Sequence, residues 1–280
     1  MMEQQALDFI TWNIDPILIS FAGLKIRWYG ALFAIAYLLG YQTIHWIYHH
    51  EKQDARYLER LTIYLVIGII VGARLGHCLL YDPAYYLSHP LEILAFWKGG
   101  LASHGGGLGV LLVLYFHSRH SNLSYLWLLD RFAIPTALAG AFIRLGNLFN
   151  SEIYGIPTDA PWAFIFERID SLPRHPVQLY EAIIYALIFI GLLSFYRRAW
   201  QRIQDGLIFG LFLFSVFSAR FIIEFVKIKQ AAYTSDLPLN TGQILSLPFI
   251  TIGLILIILA VKKQKAKKLS EKRLYNPDSK

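Results

Sequence analysis

Apolar residues in this chain are grouped into long blocks that are separated by short charged or turn-forming stretches. The blocks are roughly 18 to 24 residues long, the length at which an α-helix crosses the hydrocarbon core of a bilayer. The pattern therefore predicts an all-α, polytopic membrane protein with about seven transmembrane helices. These helices are expected over residues 28–49, 60–81, 100–117, 125–146, 177–196, 206–226 and 243–261. No internal repeat or linker divides the chain, so residues 1–280 are expected to form a single integral-membrane domain.

The connections on one side of the predicted bundle contain more lysine and arginine than those on the other. In membrane proteins the more basic side is cytoplasmic. This predicts an extracytoplasmic N-terminus, a cytoplasmic C-terminus, an extracytoplasmic loop over 147–176 and a basic cytoplasmic tail over 262–280. The cytoplasmic basic residues are Lys52, Arg56, Arg60, Arg119, Arg197, Arg198, Arg202 and the lysines of the tail.

The composition agrees with a membrane protein and excludes several classes of function. The chain is 56% hydrophobic and 16% charged, whereas about 25% of a soluble domain is charged. Its one cysteine, Cys78, excludes an internal disulfide and a cysteine-based metal site. Much of the net charge of +7 follows the last apolar block, where it suits an anionic cytoplasmic leaflet. Because no nucleic-acid-binding motif accompanies this charge, no nucleic-acid partner is expected.

The sequence RLGNLFNSEIYG, residues 144–155, ends the fourth apolar block with a group of polar residues. Arg144, Asn147, Asn150 and Glu152 lie at the predicted outer end of that helix. Ionisable groups in a membrane segment are costly, so they mark either a functional site or a buried pair. A purely structural membrane protein would leave this group unexplained.

A second arginine, Arg220, precedes Glu224 by four residues and shares its helix face. We expect an ion pair between them, and a similar pair between Arg144 and Glu152. The planar guanidinium group binds phosphate bidentately and stays charged. The two arginines therefore predict a phosphate site in the outer half of the membrane.

Other polar positions in the predicted helices have two interpretations each. His104 lies in the glycine-rich stretch GGLASHGGGLG, where the glycines favour either close helix packing or anion binding and the histidine is suited to proton transfer. Arg74 is either a structural bridge or a functional group, whereas Arg131 can reach the cytoplasmic interface. Tyr29 fits an interfacial aromatic belt or a contact with a lipid head group.

The stretch RHPVQLYE, residues 174–181, predicts the start of the fifth helix. His175 and Pro176 are explained by helix capping. Capping does not explain why Gln178 and Glu181 enter a membrane segment.

Taken in order, these stretches resemble the prolipoprotein diacylglyceryl transferases of bacteria. The resemblance covers nearly the whole chain, through RWYG, ARLGHCLLYD, ASHGGGLG, IRLGNLFNSEIYG, RHPVQLYE, RFIIEF and GQILSLP. The pattern from Arg144 to Gly155 is the most specific of them. HPVQLYE is also specific, whereas the aromatic and glycine-rich pieces alone are weak signals.

The resemblance implies an activity and its partners. The diacylglyceryl group of phosphatidylglycerol would move to the lipobox cysteine of a prolipoprotein signal peptide, and glycerol 1-phosphate would be released. The enzyme would lie among the lipids of the bacterial plasma membrane with its active site toward the extracytoplasmic side. No cofactor and no metal ion are implied.

Site residues follow from the same resemblance. Arg144 and Arg220 would hold the lipid phosphate as catalytic residues, with His104 as the candidate general base. Tyr29, Asn147, Glu152, Gly155 and Glu224 match further positions important for activity. From the polar stretches themselves, Asn150, His175 and Gln178 are expected to join them in binding substrate.

Three positions depart from the family pattern. Ile143 stands where glycine is common, Phe249 where methionine is frequent, and VKIKQ, residues 226–230, replaces a more usual arginine-containing run. These changes affect local packing and remove no candidate residue.

The alternative functions are a transporter or channel for an anionic or lipid substrate and a head-group phosphatase. The polar residues collect at one membrane face instead of tracing a path across it, which favours the transferase.

Overall fold

The computed structural model describes residues 9–21, 23–228 and 239–275. It is 72% helical, which confirms the predicted helical class. In the described part of the chain the α-helices are α1 (Trp28–His50), α2 (Ala55–Leu80), α3 (Pro83–Ser88), α4 (Ser103–His120), α5 (Tyr125–Phe149), α6 (Val177–Ala199), α7 (Leu207–Ile223) and α8 (Thr241–Tyr275). Short 3-10 turns occupy Pro90–Leu94, Phe96–Lys98, Trp200–Arg202 and Glu224–Val226.

Five of the described helices are long and apolar enough to cross a membrane, as expected of a polytopic membrane protein. They are Arg56–Leu80, Tyr125–Phe149, Val177–Arg202, Leu207–Val226 and Thr241–Lys268. The other two predicted spans fold as α1 and α4, which are less apolar. Gln42 and His45 interrupt α1, and α4 opens with Ser103, His104 and a run of glycines.

The last helix is longer than the sequence pattern predicted. It was expected to end near residue 261, but α8 continues to Tyr275, so most of the predicted tail is helical. The apolar pattern marks only the part of a helix that suits lipid, whereas the backbone remains helical through the lysine-rich segment. Residues 276–280 of the predicted tail lie outside the described residues.

Short strands flank the helices, so the expectation of helices alone was incomplete. β1 (Ile10–Trp12) pairs in parallel with β4 (Phe164–Phe166), and β5 (Pro173–Arg174) pairs antiparallel with β4. β2 (Ile17–Phe21) and β3 (Leu24–Arg27) form an antiparallel hairpin directly before α1. Strands this short carry too few residues for an alternating pattern to be recognised.

The three-stranded sheet holds the 147–176 loop against the end of α5. Phe164 and Phe166 pack with Leu148 in a buried cluster, to which Trp12 adds its ring. The Trp12 indole N–H also donates a hydrogen bond to the carbonyl of Leu148 at 3.0 Å. The end of α5 is thereby fixed by residues from two distant parts of the sequence.

The chain divides into two compact units, one of Met1–Gly40 with Ala133–Lys280 and one of Tyr41–Phe132. In the second unit, glycines bring α2 and α4 close together. A Cβ on Gly72 would overlap the carbonyl oxygen of Gly105, and a Cβ on Gly109 would overlap that of Gly68. The structure thus supports the packing explanation for the glycine run.

Arg74 is a structural bridge within this second unit. Its guanidinium group donates to the carbonyl oxygens of Glu92 and Ile93 at 2.5 and 3.0 Å. It also donates to those of Gly99 and Gly100 at 2.6 and 3.2 Å. The arginine therefore holds the connection between α2 and α4, and the functional alternative for this residue is not needed.

Candidate active site

Polar residues of the first unit collect at one end of its helices. Tyr29 lies in the first turn of α1, Arg144 near the end of α5, Glu181 near the start of α6 and Arg220 near the end of α7. α8 begins beside Glu224. The chain enters and leaves the helices alternately at this end, so residues far apart in sequence meet there.

Four charged side chains form a continuous chain of alternating sign, which we call the ion chain. Arg144 Nε lies 2.9 Å from Glu181 Oε2, and Lys227 Nζ lies 3.1 Å from Glu181 Oε1. Lys227 Nζ is also 3.6 Å from Glu224 Oε2. Glu181 and Lys227 are buried, so each carboxylate or ammonium in the ion chain depends on its neighbours for compensation.

Asn147 connects Arg144 to Glu152. Its carbonyl oxygen accepts a hydrogen bond from Arg144 Nη1 at 3.2 Å, and its Nδ2 donates to Glu152 Oε1 at 2.7 Å. Asn150 Nδ2 donates to the same Glu152 oxygen at 3.2 Å. An amide can do this because it carries an acceptor and donors on one planar group.

The backbone around Glu152 is held in an unusual conformation. Ser151 and Ile153, on either side of it, have φ of 53° and 58°. Such values are rare for residues other than glycine, and for a β-branched residue they indicate strain. Arg168 Nη2 donates to the Ser151 hydroxyl at 2.8 Å, and Gln178 Nε2 donates to the Glu152 carbonyl at 2.8 Å. These contacts hold the strained turn that presents Glu152.

Arg144 and Arg220 both lie within electrostatic range of Tyr185, and the charges of both act on its hydroxyl. The Nε of Arg220 is buried and has no hydrogen-bond partner among the described residues. A buried guanidinium N–H without a protein partner is a candidate donor to a ligand.

Two glycines allow close contacts in the site. A Cβ on Gly146 would lie 2.7 Å from a ring carbon of Tyr29, so the tyrosine packs directly on the backbone of α5. A Cβ on Gly242 would lie 2.5 Å from the Glu224 carboxyl group. Glu224 therefore sits at the N-terminal end of α8, where the helix dipole favours a negative charge.

The chain is similar to known proteins over most of its length. Residues 16–259 match the family profile described as "Prolipoprotein diacylglyceryl transferase". The phosphatidylglycerol–prolipoprotein diacylglyceryl transferase of Tolumonas auensis is 54% identical over 254 residues, covering 90% of this chain and 98% of that relative. The protein of the same name from Chloroherpeton thalassium is 50% identical over 264 residues, covering 94% of this chain and 98% of the relative.

This chain belongs to the prolipoprotein diacylglyceryl transferase family. The family resemblance found in the sequence is therefore confirmed. A third relative is the phosphatidylglycerol–prolipoprotein diacylglyceryl transferase of Porphyromonas gingivalis. It is 46% identical over an alignment that spans 94% of this chain and 98% of the relative.

The structure pairs the charged residues differently from the sequence prediction. Glu224 contacts Lys227 instead of Arg220. Arg144 contacts Glu181 directly and reaches Glu152 only through Asn147. Spacing along one helix predicts pairs within a segment. The Arg144–Glu181 pair instead joins α5 to α6, while Glu224 and Lys227 are three residues apart in one segment.

Gly155, His175 and Gln178 lie where the loop meets α6 and α7. The Gly155 N–H donates to the His175 carbonyl at 3.0 Å, and a Cβ on Gly155 would lie 2.6 Å from His175 Cβ. His175 Nδ1 is 3.1 Å from the Tyr180 hydroxyl, and burial lowers the pKa of His175. In this structure these residues support the loop backbone and fix Glu152.

His104 belongs to the second unit and is described there alone. It lies exposed in the first turn of α4, with its ring edge-to-face against Tyr81 at 6.4 Å between centroids. Gly105 and Gly109, which follow His104 on α4, pack against the backbone of α2. Its role as a general base stays a prediction.

Sequence reasoning did not assign Glu181 or Lys227 to the site. The sequence marks Glu181 as a polar residue that enters a span but does not identify its partner. Lys227 follows Glu224 by a single 3-10 turn and lies in the stretch that departs from the family pattern, whose residues 229–230 are outside the described residues. Burial lowers the pKa of Lys227, while Glu181 and Glu224 raise it.

Proposed function

We propose that this protein transfers the diacylglyceryl group of phosphatidylglycerol to the lipobox cysteine thiol of prolipoproteins and releases glycerol 1-phosphate. The observation that carries the proposal is the pair of arginines, Arg144 and Arg220, gathered with carboxylates at one end of an apolar helix bundle. Relatives that carry the name of this transferase match nearly the full length of the chain. The chain's own Cys78 is fully buried, so the acceptor thiol would come from another protein.

The reaction sets two chemical demands. The sulfur of the acceptor attacks the glyceryl carbon that bears the phosphate, and the carbon–oxygen bond to phosphate breaks with its electron pair leaving on the phosphate oxygen. Arg144 and Arg220 would stabilise this developing charge in a water-poor site. The thiol must also lose its proton, because the thiolate is the nucleophile. His104 is the proposed acceptor of that proton.

The remaining residues would shape the substrate site. Glu152 reaches Arg144 through Asn147, and Glu224 joins the ion chain through Lys227. Asn150 and Gln178 also hold Glu152, by its side chain and by its carbonyl group. Tyr29 lies within electrostatic range of Arg144 and Glu152, where its hydroxyl can contact a head group. Gly155 and His175 would act through the loop backbone.

The proposal includes a membrane arrangement. The chain would form one integral domain with about seven spans, in which α1 and α4 join the five more apolar helices. The N-terminus and the 147–176 loop would lie outside the bacterial plasma membrane, and the tail from residue 262 inside. The site would then open toward the outer leaflet, where phosphatidylglycerol and an exported prolipoprotein both arrive.

The test combines purified protein, phosphatidylglycerol and a lipobox peptide, with mass spectrometry of the peptide. We expect a diacylglyceryl adduct on the cysteine with the wild type and none with Arg144→Ala or Arg220→Ala. Arg198→Ala is the matched control, because Arg198 is exposed at the far end of α6. No adduct from folded wild-type protein would overturn the proposal in favour of a transporter. Equal adduct from Arg144→Ala would keep the enzyme and remove this site.

The same assay tests the base. We expect His104→Gln to reduce the rate strongly at neutral pH, with His120→Gln, exposed at the other end of α4, as its control. A His104→Gln variant that turns over at the wild-type rate would show that the proton goes elsewhere, such as to the phosphate.

A further inference from the structure

Glu181 is the most deeply buried charged group of the site. Its side chain has no exposed surface, whereas Arg144 retains 13%. A buried carboxylate is costly unless cations and hydrogen bonds compensate it. Glu181 has one cation on each oxygen, Arg144 on Oε2 and Lys227 on Oε1.

The contact with Glu181 restricts the orientation of Arg144. Glu181 approaches the Nε edge of the guanidinium group, and Asn147 accepts from Nη1. The close ion pair with Glu181 and the hydrogen bond to Asn147 lie at different nitrogens, so together they restrict where the guanidinium group lies. The N–H donors that these partners do not use remain available to a phosphate oxygen.

Lys227 is placed to balance charge and not to bind substrate. Its side chain is 4% exposed and lies between Glu181 and Glu224. Its backbone pairs with Gly155, which ties the end of α7 to the loop. The Lys227 ammonium group thus compensates the negative charges of both Glu181 and Glu224, which would otherwise repel each other.

We infer that Glu181 is a positioning residue for the proposed transfer: it holds Arg144 in the orientation that receives the lipid phosphate, and Lys227 supplies the charge that keeps Glu181 and Glu224 together. The inference rests on the proposed function and adds residues that act through Arg144. If Arg144 holds the lipid phosphate in the wrong position, the rate of the chemical step falls more than the affinity for the lipid. A purely structural ion chain would instead affect folding stability alone.

The experiment measures kcat and KM for phosphatidylglycerol, together with the thermal midpoint in detergent, for Glu181→Gln and for Glu181→Gln/Lys227→Met. Glu59→Gln is the matched control, since Glu59 is exposed on α2. We expect Glu181→Gln to lower kcat by roughly 10- to 100-fold, as small misplacements of a catalytic group do, with KM changed far less. The double variant removes one charge of each sign, so its midpoint should return toward that of the wild type while kcat stays low.

Three results would overturn the inference. A Glu181→Gln variant with wild-type kcat would show that Arg144 does not need this partner. A double variant with restored kcat would show that Glu181 matters only for charge balance and stability. Wild-type protein that gives no adduct would overturn the proposed function as well, whereas the first two results would leave it intact. If Glu181→Gln does not fold, the charge-balanced double variant carries the test by itself.

Discussion

Asn147 illustrates how single residues determine this site. Its amide satisfies a guanidinium on one side and a carboxylate on the other, and it is 5% exposed. A carboxylate of the same shape would keep the contact with Arg144 but place two negative groups within 2.7 Å. What matters at this position is therefore that the side chain ends in an amide and not in a carboxylate of the same size.

We predict that Asn147→Asp slows adduct formation roughly 10- to 100-fold, because an uncompensated buried polar group costs about 1–3 kcal/mol. Asn147→Asp/Glu152→Gln should recover part of the rate, since the glutamine amide can donate to the new carboxylate. Initial rates by mass spectrometry would check both, with Asn122→Asp, exposed between α4 and α5, as the control. An Asn147→Asp variant with the wild-type rate would show that the Asn147 bridge between Arg144 and Glu152 is not needed.

Gly146 provides a second test at the residue scale. We predict that Gly146→Ala displaces the Tyr29 ring, because the new Cβ would lie 2.7 Å from it. Initial rates should fall by roughly tenfold or more, the scale of effect expected when a substrate-contacting group is misplaced. Gly191→Ala is the matched control, since that helical glycine has open space where a Cβ would go. Equal rates for the two variants would show that Tyr29 tolerates displacement.

At the scale of elements, helix contacts are set by small residues on α2 and α4. The two backbones approach each other through Gly68, Gly72, Gly105 and Gly109, where carbonyl oxygens occupy the space of a side chain. In lipid, apolar side chains do not drive two helices together. Residues without side chains let the two helix backbones approach this closely. Glycine within a helix otherwise lowers helical stability, which makes its repetition here informative.

We predict that Gly109→Ala lowers the thermal midpoint in detergent and Gly107→Ala does not. Both glycines lie on α4, but a Cβ at position 107 would meet no atom within 4 Å, whereas one at 109 would overlap the Gly68 carbonyl. Overpacking of this kind costs about 1–3 kcal/mol. Midpoints that shift equally for both variants would show that the effect comes from helix propensity and not from the contact.

At the scale of the whole molecule, orientation determines which leaflet and which substrates the site meets. The basic connections predict that the loop over 147–176 is outside and the tail inside. The single native cysteine, Cys78, is fully buried, so introduced cysteines report their own accessibility.

We predict that a membrane-impermeant thiol reagent labels Asp159→Cys in intact cells or spheroplasts, whereas Lys263→Cys reacts only after the membrane is disrupted. Both native residues are exposed in the structure, and Cys78→Ser gives a background without other thiols. Labelling of Lys263→Cys in intact spheroplasts would reverse the orientation and place the site on the cytoplasmic side.

The sequence by itself determined the helical class, the family and the arginines of the candidate site. Long apolar runs can fold in lipid only as helices, because the backbone must satisfy its own hydrogen bonds there. The motif from Arg144 to Gly155 carried the family resemblance without any knowledge of contacts. Arg144 and Arg220 stood out because a charge in an apolar run is costly.

Only the tertiary structure decided which charges pair and which backbone segments meet. Arg144 on α5 pairs with Glu181 on α6, and Lys227 reaches the same Glu181 from the end of α7, because helix packing brings these ends together. Spacing within one helix contains no information about the neighbouring helix. The same reason applies to β1 and β4, which pair across distant parts of the chain although each has only three residues.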